Sequence, residues 1–248
     1  MRYLVLSDIH ANLTAFHAVL SDADARRLHP DDLWCLGDVV GYGPDPNECV
    51  ERLLSLPCYT CLAGNHDWAV LDKLNVETFN DSAMAAILWT RTQLTPDNLR
   101  FLDAQPSRKE IDGCLLVHGS PRHDIWEYIS DTEIAADNFP LLTQPVCLVG
   151  HTHVPMIYVE DARTRAVRAV HPEHDVPLTL KRTNRYIINP GSVGQPRDGD
   201  PRAAYGLYDT DTAQWTTYRV PYNVRETQMR MHAAGLPPKL ALRLEYGR

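Results

Sequence analysis

No apolar run in this chain approaches the roughly 18 residues needed to cross a bilayer, so the sequence predicts no membrane-spanning helix. It also lacks an excess of basic charge. Against 32 aspartates and glutamates stand 24 lysines and arginines, for a formal net charge of -8. That balance argues against tracking an extended nucleic-acid backbone with a basic surface, although metal ions can reverse the local field at an anion site. Internal repeats, low-complexity tracts and linkers are missing, which leaves one domain over residues 1–248 as the expectation. There is no framework of paired cysteines either. Cys35, Cys49, Cys58, Cys61, Cys114 and Cys147 are scattered, and Cys58-x-x-Cys61 lies in an apolar, strand-like stretch with no second such pair. Core thiols in a reducing cytoplasm are favoured there over a redox or zinc pair. Met1-Arg2 leads straight into the first apolar run, which leaves no room for a secretory leader and points again to the cytoplasm.

What is present is a core and a rhythm. Hydrophobic residues make up 44% and charged residues 23%, enough apolar material for a sizeable globular interior. Residues 2–7 form a short β-rich apolar run, and Asn12 is placed to cap a helix carrying Leu13, Phe16 and Leu20 on one face. A second strand at Leu33-Trp34-Cys35-Leu36 ends at Gly37-Asp38 and the loop Val39-Val40-Gly41-Tyr42-Gly43. A helix to about Leu54 follows, with Asp45 as cap and Pro46 at its first position. A third strand near 58–62 stops at Gly64-Asn65-His66-Asp67. Strand, polar loop and helix in succession predict parallel βαβ units, whose strand C-termini collect functional loops. Residues 68–105 read as helical and 108–118 as a hairpin turned at Asp112-Gly113. The strand Val146-Cys147-Leu148-Val149 ends in Gly150-His151-Thr152-His153. Between them, 119–145 reads as a loop-rich excursion and a candidate cap. From 155 to 220 short strands suit a second, more antiparallel sheet, and 223–248 is a helical tail.

The polar residues at these strand ends form a pattern: Asp8-x-His10, Gly37-Asp38, Gly64-Asn65-His66-Asp67, His118 and Gly150-His151-x-His153. Residues two apart in an extended segment project to one side, so Asp8 and His10 can share a target. Hard oxygen and imidazole donors without thiolate suit Mn, Fe, Zn or Ni at a catalytic site better than structural zinc. The histidines outside the pattern, such as His17, His29 and His171, read as ordinary surface or packing residues.

These five blocks, in this order and each after an apolar strand, closely resemble the calcineurin-like metallophosphoesterases, over Arg2 to about residue 220. The wording is similar to small bacterial and archaeal members, a branch grouped with diadenosine tetraphosphatases. The resemblance implies a four-layer α/β/β/α sandwich, with two mixed β-sheets flanked by helices and a dinuclear site at the strand C-termini. It further implies two divalent transition-metal ions. Asp8, His10 and His153 would hold the first; Asn65, His118 and His151 the second; Asp38 would bridge both. His66 would stay off the metals and serve the leaving oxygen of a phosphoester attacked by a metal-bridging hydroxide. Asp67 is open between two roles, orienting His66 or capping the next segment.

Substrate contacts are less defined. Tyr42 follows Asp38 closely enough to overhang the metals, where the protein phosphatase branch has an arginine; that departure speaks against phosphoprotein substrates. Arg122, four residues beyond His118, and Arg197, in the turn-rich Asn189–Arg197 loop, are candidate phosphate contacts. Trp126 and Tyr128 could stack a base, but packing under their loop is favoured. The expected partner is a small, nucleotide-like phosphoester. A metal-binding scaffold without activity is the alternative, and within enzymes a dinucleoside polyphosphate hydrolase or a protein phosphatase.

Overall fold

The computed structural model describes residues 1–248 and folds them into two mixed β-sheets laid face to face between layers of helix. Strand β1 (Arg2–Leu6), helix α1 (Leu13–Ala25), β2 (Asp32–Cys35), α2 (Pro46–Leu54) and β3 (Tyr59–Cys61) follow one another in the chain. β1, β2 and β3 pair in parallel, as helical crossovers require. Three helices follow, α3 (Asn65–Val70), α4 (Asp81–Gln93) and α5 (Pro96–Asp103). Asn80 and Thr95 cap the last two by accepting from the N–H groups of Ala83 and Asn98.

The hairpin β4 (Arg108–Ile111) and β5 (Cys114–Val117) opens the second sheet, followed by α6 (Thr132–Asn138), β6 (Val146–Leu148), β7 (Met156–Asp161) and β8 (Val167–Val170). Then come β9 (Leu178–Thr179), β10 (Asn184–Asn189), β11 (Ala203–Asp209), β12 (Gln214–Val220) and the helices α7 (Val224–Ala233) and α8 (Pro238–Tyr246). The strand orders are β3-β2-β1-β11-β12-β9 and β4-β5-β6-β10-β7-β8. The strands beyond residue 155 therefore do not make a sheet of their own. β11 and β12 add antiparallel to β1, while β7, β8 and β10 extend the sheet begun by β5 and β6. Strand β10 lies parallel to β6 and β11 antiparallel to β1, and each sheet joins its strands by two parallel and three antiparallel pairings.

Alternation along the strands fixes the layers. Tyr3 and Val5 of β1 point between the sheets and meet Trp34, Leu116, Leu148 and Ile188; Leu4 and Leu6 point outward to Phe16, Val19, Val50 and Ile87 of the helices. Both faces are thus covered, which is why these strands read as unbroken apolar runs. The outer face of the second sheet is covered by Ala135 of α6 and by Phe139. Helix α6 therefore packs on that face, and the limb of residues 119–131 before it runs toward the strand ends.

Helices α7 and α8 pack through Met231, Leu240, Ala241 and Leu244 onto α4 and Tyr42. They are also tied by an ion pair between Arg230 and Asp45. Asp45 stands at the cap position of α2, yet its side chain does not cap the helix; it is buried and turned to Arg230 instead. Burial pushes its carboxyl up to about 6, against the pull of Arg230. Removing the guanidinium leaves a buried carboxylate without its counter-charge. Arg230→Met is expected to cost about 1–3 kcal/mol in urea unfolding, and Asp45→Asn in the same chain should restore most of it; strictly additive losses would show that the pair carries no coupling.

Candidate metal centre

Both sheets present their parallel strand C-termini at one edge, and every residue of the sequence pattern stands just beyond such an end, in the loop or in the first turn of α3. Asp8 and His10 follow β1, Asp38 follows β2, Asn65 and His66 open α3 after β3, His118 follows β5, and His151 and His153 follow β6. The backbone there is unusual. Asp8, His10, Asp38, His151 and His153 have φ of 55°, 49°, 54°, 65° and 61°. Side chains other than glycine disfavour this left-handed region, and its concentration at one edge of the molecule marks a functional site.

The histidines are set by carbonyls. His10 Nδ1 lies 3.2 Å from the Val40 carbonyl, His118 Nδ1 2.9 Å from Leu36, His151 Nε2 3.1 Å from Trp126 and His153 Nδ1 2.6 Å from Gln195. A carbonyl only accepts, so each of these nitrogens carries a proton, and in the neutral ring the other keeps a lone pair. Those second nitrogens face one another: His10 Nε2 and His153 Nε2 are 3.1 Å apart, His118 Nε2 and His151 Nδ1 3.2 Å. Lone pairs aimed at each other across such distances repel unless positive charge lies between them.

The carboxylates complete the two groups. Asp38 Oδ1 accepts from the His66 N–H at 2.8 Å, while Oδ2 has no hydrogen-bond partner and lies 3.5 Å from His10 Nε2 and 3.4 Å from His118 Nε2. Asp8 Oδ1 is 3.4 Å from His153 Nε2, and Asp8 Oδ2 is unpartnered. Asn65 Oδ1 is 3.1 Å from His118 Nε2. One set, Asp8, His10, Asp38 and His153, and a second, Asp38, His118 and His151, each bring their donor atoms within 4.8 Å of one another. Orphaned buried oxygens and converging lone pairs fit divalent cations, with Asp38 common to both sets. Protonation tells the same story. Burial pushes Asp8 up to about 7 and holds His10, His151 and His153 below the usual imidazole range. Burial also opposes charge on His118 and Asp38, but their attraction lifts His118 to about 9 and keeps the Asp38 carboxyl below its ordinary range. Positive charge is favoured most beside Asp38.

Comparison with known proteins decides the family. The profile of the calcineurin-like phosphoesterase superfamily domain matches residues 1–213. The chain belongs to that superfamily. It is 38% identical over 249 aligned positions to an uncharacterised protein of Methanocaldococcus jannaschii, covering 98% of this chain and 97% of that one. The crystal structure of a metallophosphoesterase from Sphaerobacter thermophilus shares 48% identity, covers 100% of this chain and 99% of its own, and superposes with a TM-score of 0.88. A hypothetical protein from Pyrococcus horikoshii has the same fold at 19% identity, with a TM-score of 0.80 over 100% of this chain and 98% of that one. Family and structure agree on the calcineurin-like architecture of two mixed β-sheets flanked by helices; the family is a metal-dependent phosphoesterase one, and the buried Asp and His groups are able to hold metal.

Within this metallophosphoesterase, Asp67 does not hydrogen-bond to His66. Its carboxylate is fully buried and accepts from the N–H groups of Gly64 (2.9 Å), Asp38 (2.8 Å), Val39 (3.3 Å) and Val40 (3.1 Å). It caps α3 and at the same time holds the loop that carries Asp38. The catalytic expectation for Asp67 gives way to a positioning one, because its oxygens are consumed by backbone donors. His66 Nδ1 is buried and unpartnered. Its ring stands 4.9 Å from His10 and 4.3 Å from Tyr42, and a Cβ on Gly41 (φ 91°) would lie 2.5 Å from His66 Nδ1. Only glycine fits there.

Tyr42 is brought to the site and lies over His10 at 4.6 Å. Arg197 joins it: its guanidinium donates to the Tyr42 hydroxyl at 3.3 Å and to Gln195 Oε1 at 3.0 Å, and has no carboxylate partner. After burial, its charge is the next largest influence lowering His153. Arg122 is not brought to the cluster. Its guanidinium is engaged by Glu127 at 2.5 Å and Asp137 at 3.3 Å, which brace the 119–131 limb against α6. Trp126 and Tyr128 flank His151 and are exposed rather than packed under their loop. Sequence reasoning passed over Gln195, which both fixes His153 and holds Arg197, and Phe79, which stands 5.2 Å from His66. Gln195 lies in a loop already singled out for its turns; Phe79 follows a polar stretch with no signal. Asp67→Ala is expected to cost about 3 kcal/mol, since it leaves several buried N–H groups unsatisfied, and to lower activity by displacing Asp38. Chemical unfolding and turnover check this together; a drop in turnover at unchanged stability would return Asp67 to the chemistry.

Proposed function

We propose that this metallophosphoesterase hydrolyses small phosphoesters with two divalent transition-metal ions. Asp8, His10, Asp38 and His153 hold one ion and Asp38, Asn65, His118 and His151 the other. The observation that carries the reading is the unpartnered Asp38 Oδ2, set between His10 and His118 where the two donor groups meet. Divalent cations in such a pair neutralise the phosphoryl oxygens and activate water for in-line attack.

The chain's own residues supply the rest. The ring of His66, packed on Gly41 through its Nδ1 side, serves the leaving oxygen through its other edge. Burial holds that ring to about 4, and a bound phosphoryl anion beside it restores its proton affinity. Arg197, free of any carboxylate, receives a phosphate oxygen, and Tyr42 holds the guanidinium over the site. Arg122 steadies the limb and does not bind substrate. A chain that has kept every donor and the His66 ring favours an enzyme over a scaffold, and the lack of an arginine after Asp38 favours small substrates over phosphoproteins. The location proposed is the cytoplasm. No helix is long and apolar enough to cross a membrane.

Chelation followed by Mn, Fe, Zn or Ni addition should abolish and restore hydrolysis of bis(p-nitrophenyl) phosphate. Asp38→Ala should lose bound metal, counted by atomic emission, along with turnover. His66→Ala should keep the metal while turnover drops by about 100-fold or more. Metal loss in the His66 variant would make that residue a ligand. Full metal binding with no turnover of any phosphoester in the unaltered chain would return the scaffold reading.

A further inference from the structure

Beside the two donor groups runs a chain of aromatic rings that the metal chemistry does not use. Phe79 meets His66 edge-on at 5.2 Å, Trp126 meets Phe79 edge-on at 5.0 Å and lies 6.2 Å from His151, and Tyr128 stacks on His151 at 3.7 Å. The tryptophans that fill the layer between the sheets are sealed: Trp34 is 0% exposed and Trp215 1%. Trp126 is 40% exposed and Tyr128 45%. The part of Trp126 that orients His151 is its backbone carbonyl, 3.1 Å from Nε2. The indole is not needed for that contact and faces solvent. An open depression of about 440 Å³ adjoins the other side of this indole; Leu74, Ile125, Arg108 and Asp124 line it, and Phe79 and Tyr128 do not.

Resting on the phosphoesterase reading, we infer that Trp126, Tyr128 and Phe79 form a stacking subsite for a nucleobase carried by the phosphoester. Exposed aromatic faces favour a flat, polarisable ring over an alkyl chain, because stacking adds dispersion and quadrupole terms to the burial of apolar area. The position suits a nucleotide. The rings touch His66 and His151, beside the two donor groups, so a base on them belongs to a molecule whose phosphate faces those donors.

The test compares adenosine 5′-monophosphate with ribose 5-phosphate, which differ only by the base, on metal-loaded protein by calorimetry and by quenching of tryptophan fluorescence. The unaltered protein should bind the nucleotide at least about tenfold more tightly, the range of one stacked base. Trp126→Ala and Tyr128→Leu should each bring the ratio of the two affinities toward one. Because the ratio is taken within each variant, loss of metal or phosphate affinity cancels. Equal affinities in the unaltered protein would overturn the subsite, as would a ratio that survives both substitutions. If neither ligand nor inorganic phosphate binds, the phosphoesterase reading itself falls, and the subsite with it.

Discussion

The interaction on which the rest of the structure depends is the convergence of histidine lone pairs and unpartnered carboxylate oxygens on two neighbouring points. Each ring is locked by one backbone carbonyl, from Leu36, Val40, Trp126 or Gln195. That arrangement opposes folding twice over. It buries like-oriented dipoles and acidic oxygens, and it forces five donor-bearing residues into left-handed backbone at a cost of order 1–3 kcal/mol each. Such strain persists only where surrounding structure over-determines it. Here Asp67 holds the Asp38 loop from beneath, Ser192 Oγ donates to the Asp8 carbonyl at 2.8 Å, and Asn189 donates to the Gly150 carbonyl at 2.6 Å.

The donors are divided between the sheets. Asp8, His10, Asp38 and Asn65 come from the first, His118, His151 and His153 from the second. Either sheet alone offers an incomplete set. The apolar layer between them, Tyr3, Val5 and Trp34 against Leu116, Leu148 and Ile188, therefore sets the spacing of the donors as well as stabilising the fold. Asp38 Oδ2 lies almost equally far from His10 of one sheet and His118 of the other. A cation in either donor group would tie the sheets together, because each group draws on both: His153 joins Asp8 and His10, and His118 and His151 join Asp38.

Much of this was legible in the amino-acid order. Strand, loop and helix repeat strictly through residue 67, and a parallel βαβ unit must put its loops at the strand C-termini, so position and chemistry pointed to the same residues. What could not be read was pairing beyond residue 155. The strands there are short and alternate, and nothing local distinguishes adding to β1 from adding to β6; only the register across the sheets decides it. The same limit explains Asp45 and Asp67. Local rules read Asp45 as a cap and left Asp67 open between capping and orienting His66. The structure turns Asp45 toward Arg230 of α7, and Asp67 both caps α3 and holds the loop of a different strand.

Arg122 and Arg197 show how tertiary context separates residues that look alike. Both are single arginines in turn-rich loops just past a donor histidine or strand end. Glu127 and Asp137 neutralise Arg122, which leaves it nothing to offer an anion and converts it into a brace for the limb that carries Trp126 and Tyr128. Arg197 has only neutral partners, Tyr42 and Gln195, which orient a guanidinium without discharging it. The division of labour follows from charge accounting rather than from position in the chain. In the proposed reading the donors and Arg197 address only the phosphoryl group and so would hold any phosphoester. Discrimination among phosphoesters has to come from groups that touch the remainder of the molecule. The braced limb is the element at the site that presents exposed aromatic surface with no structural use for it.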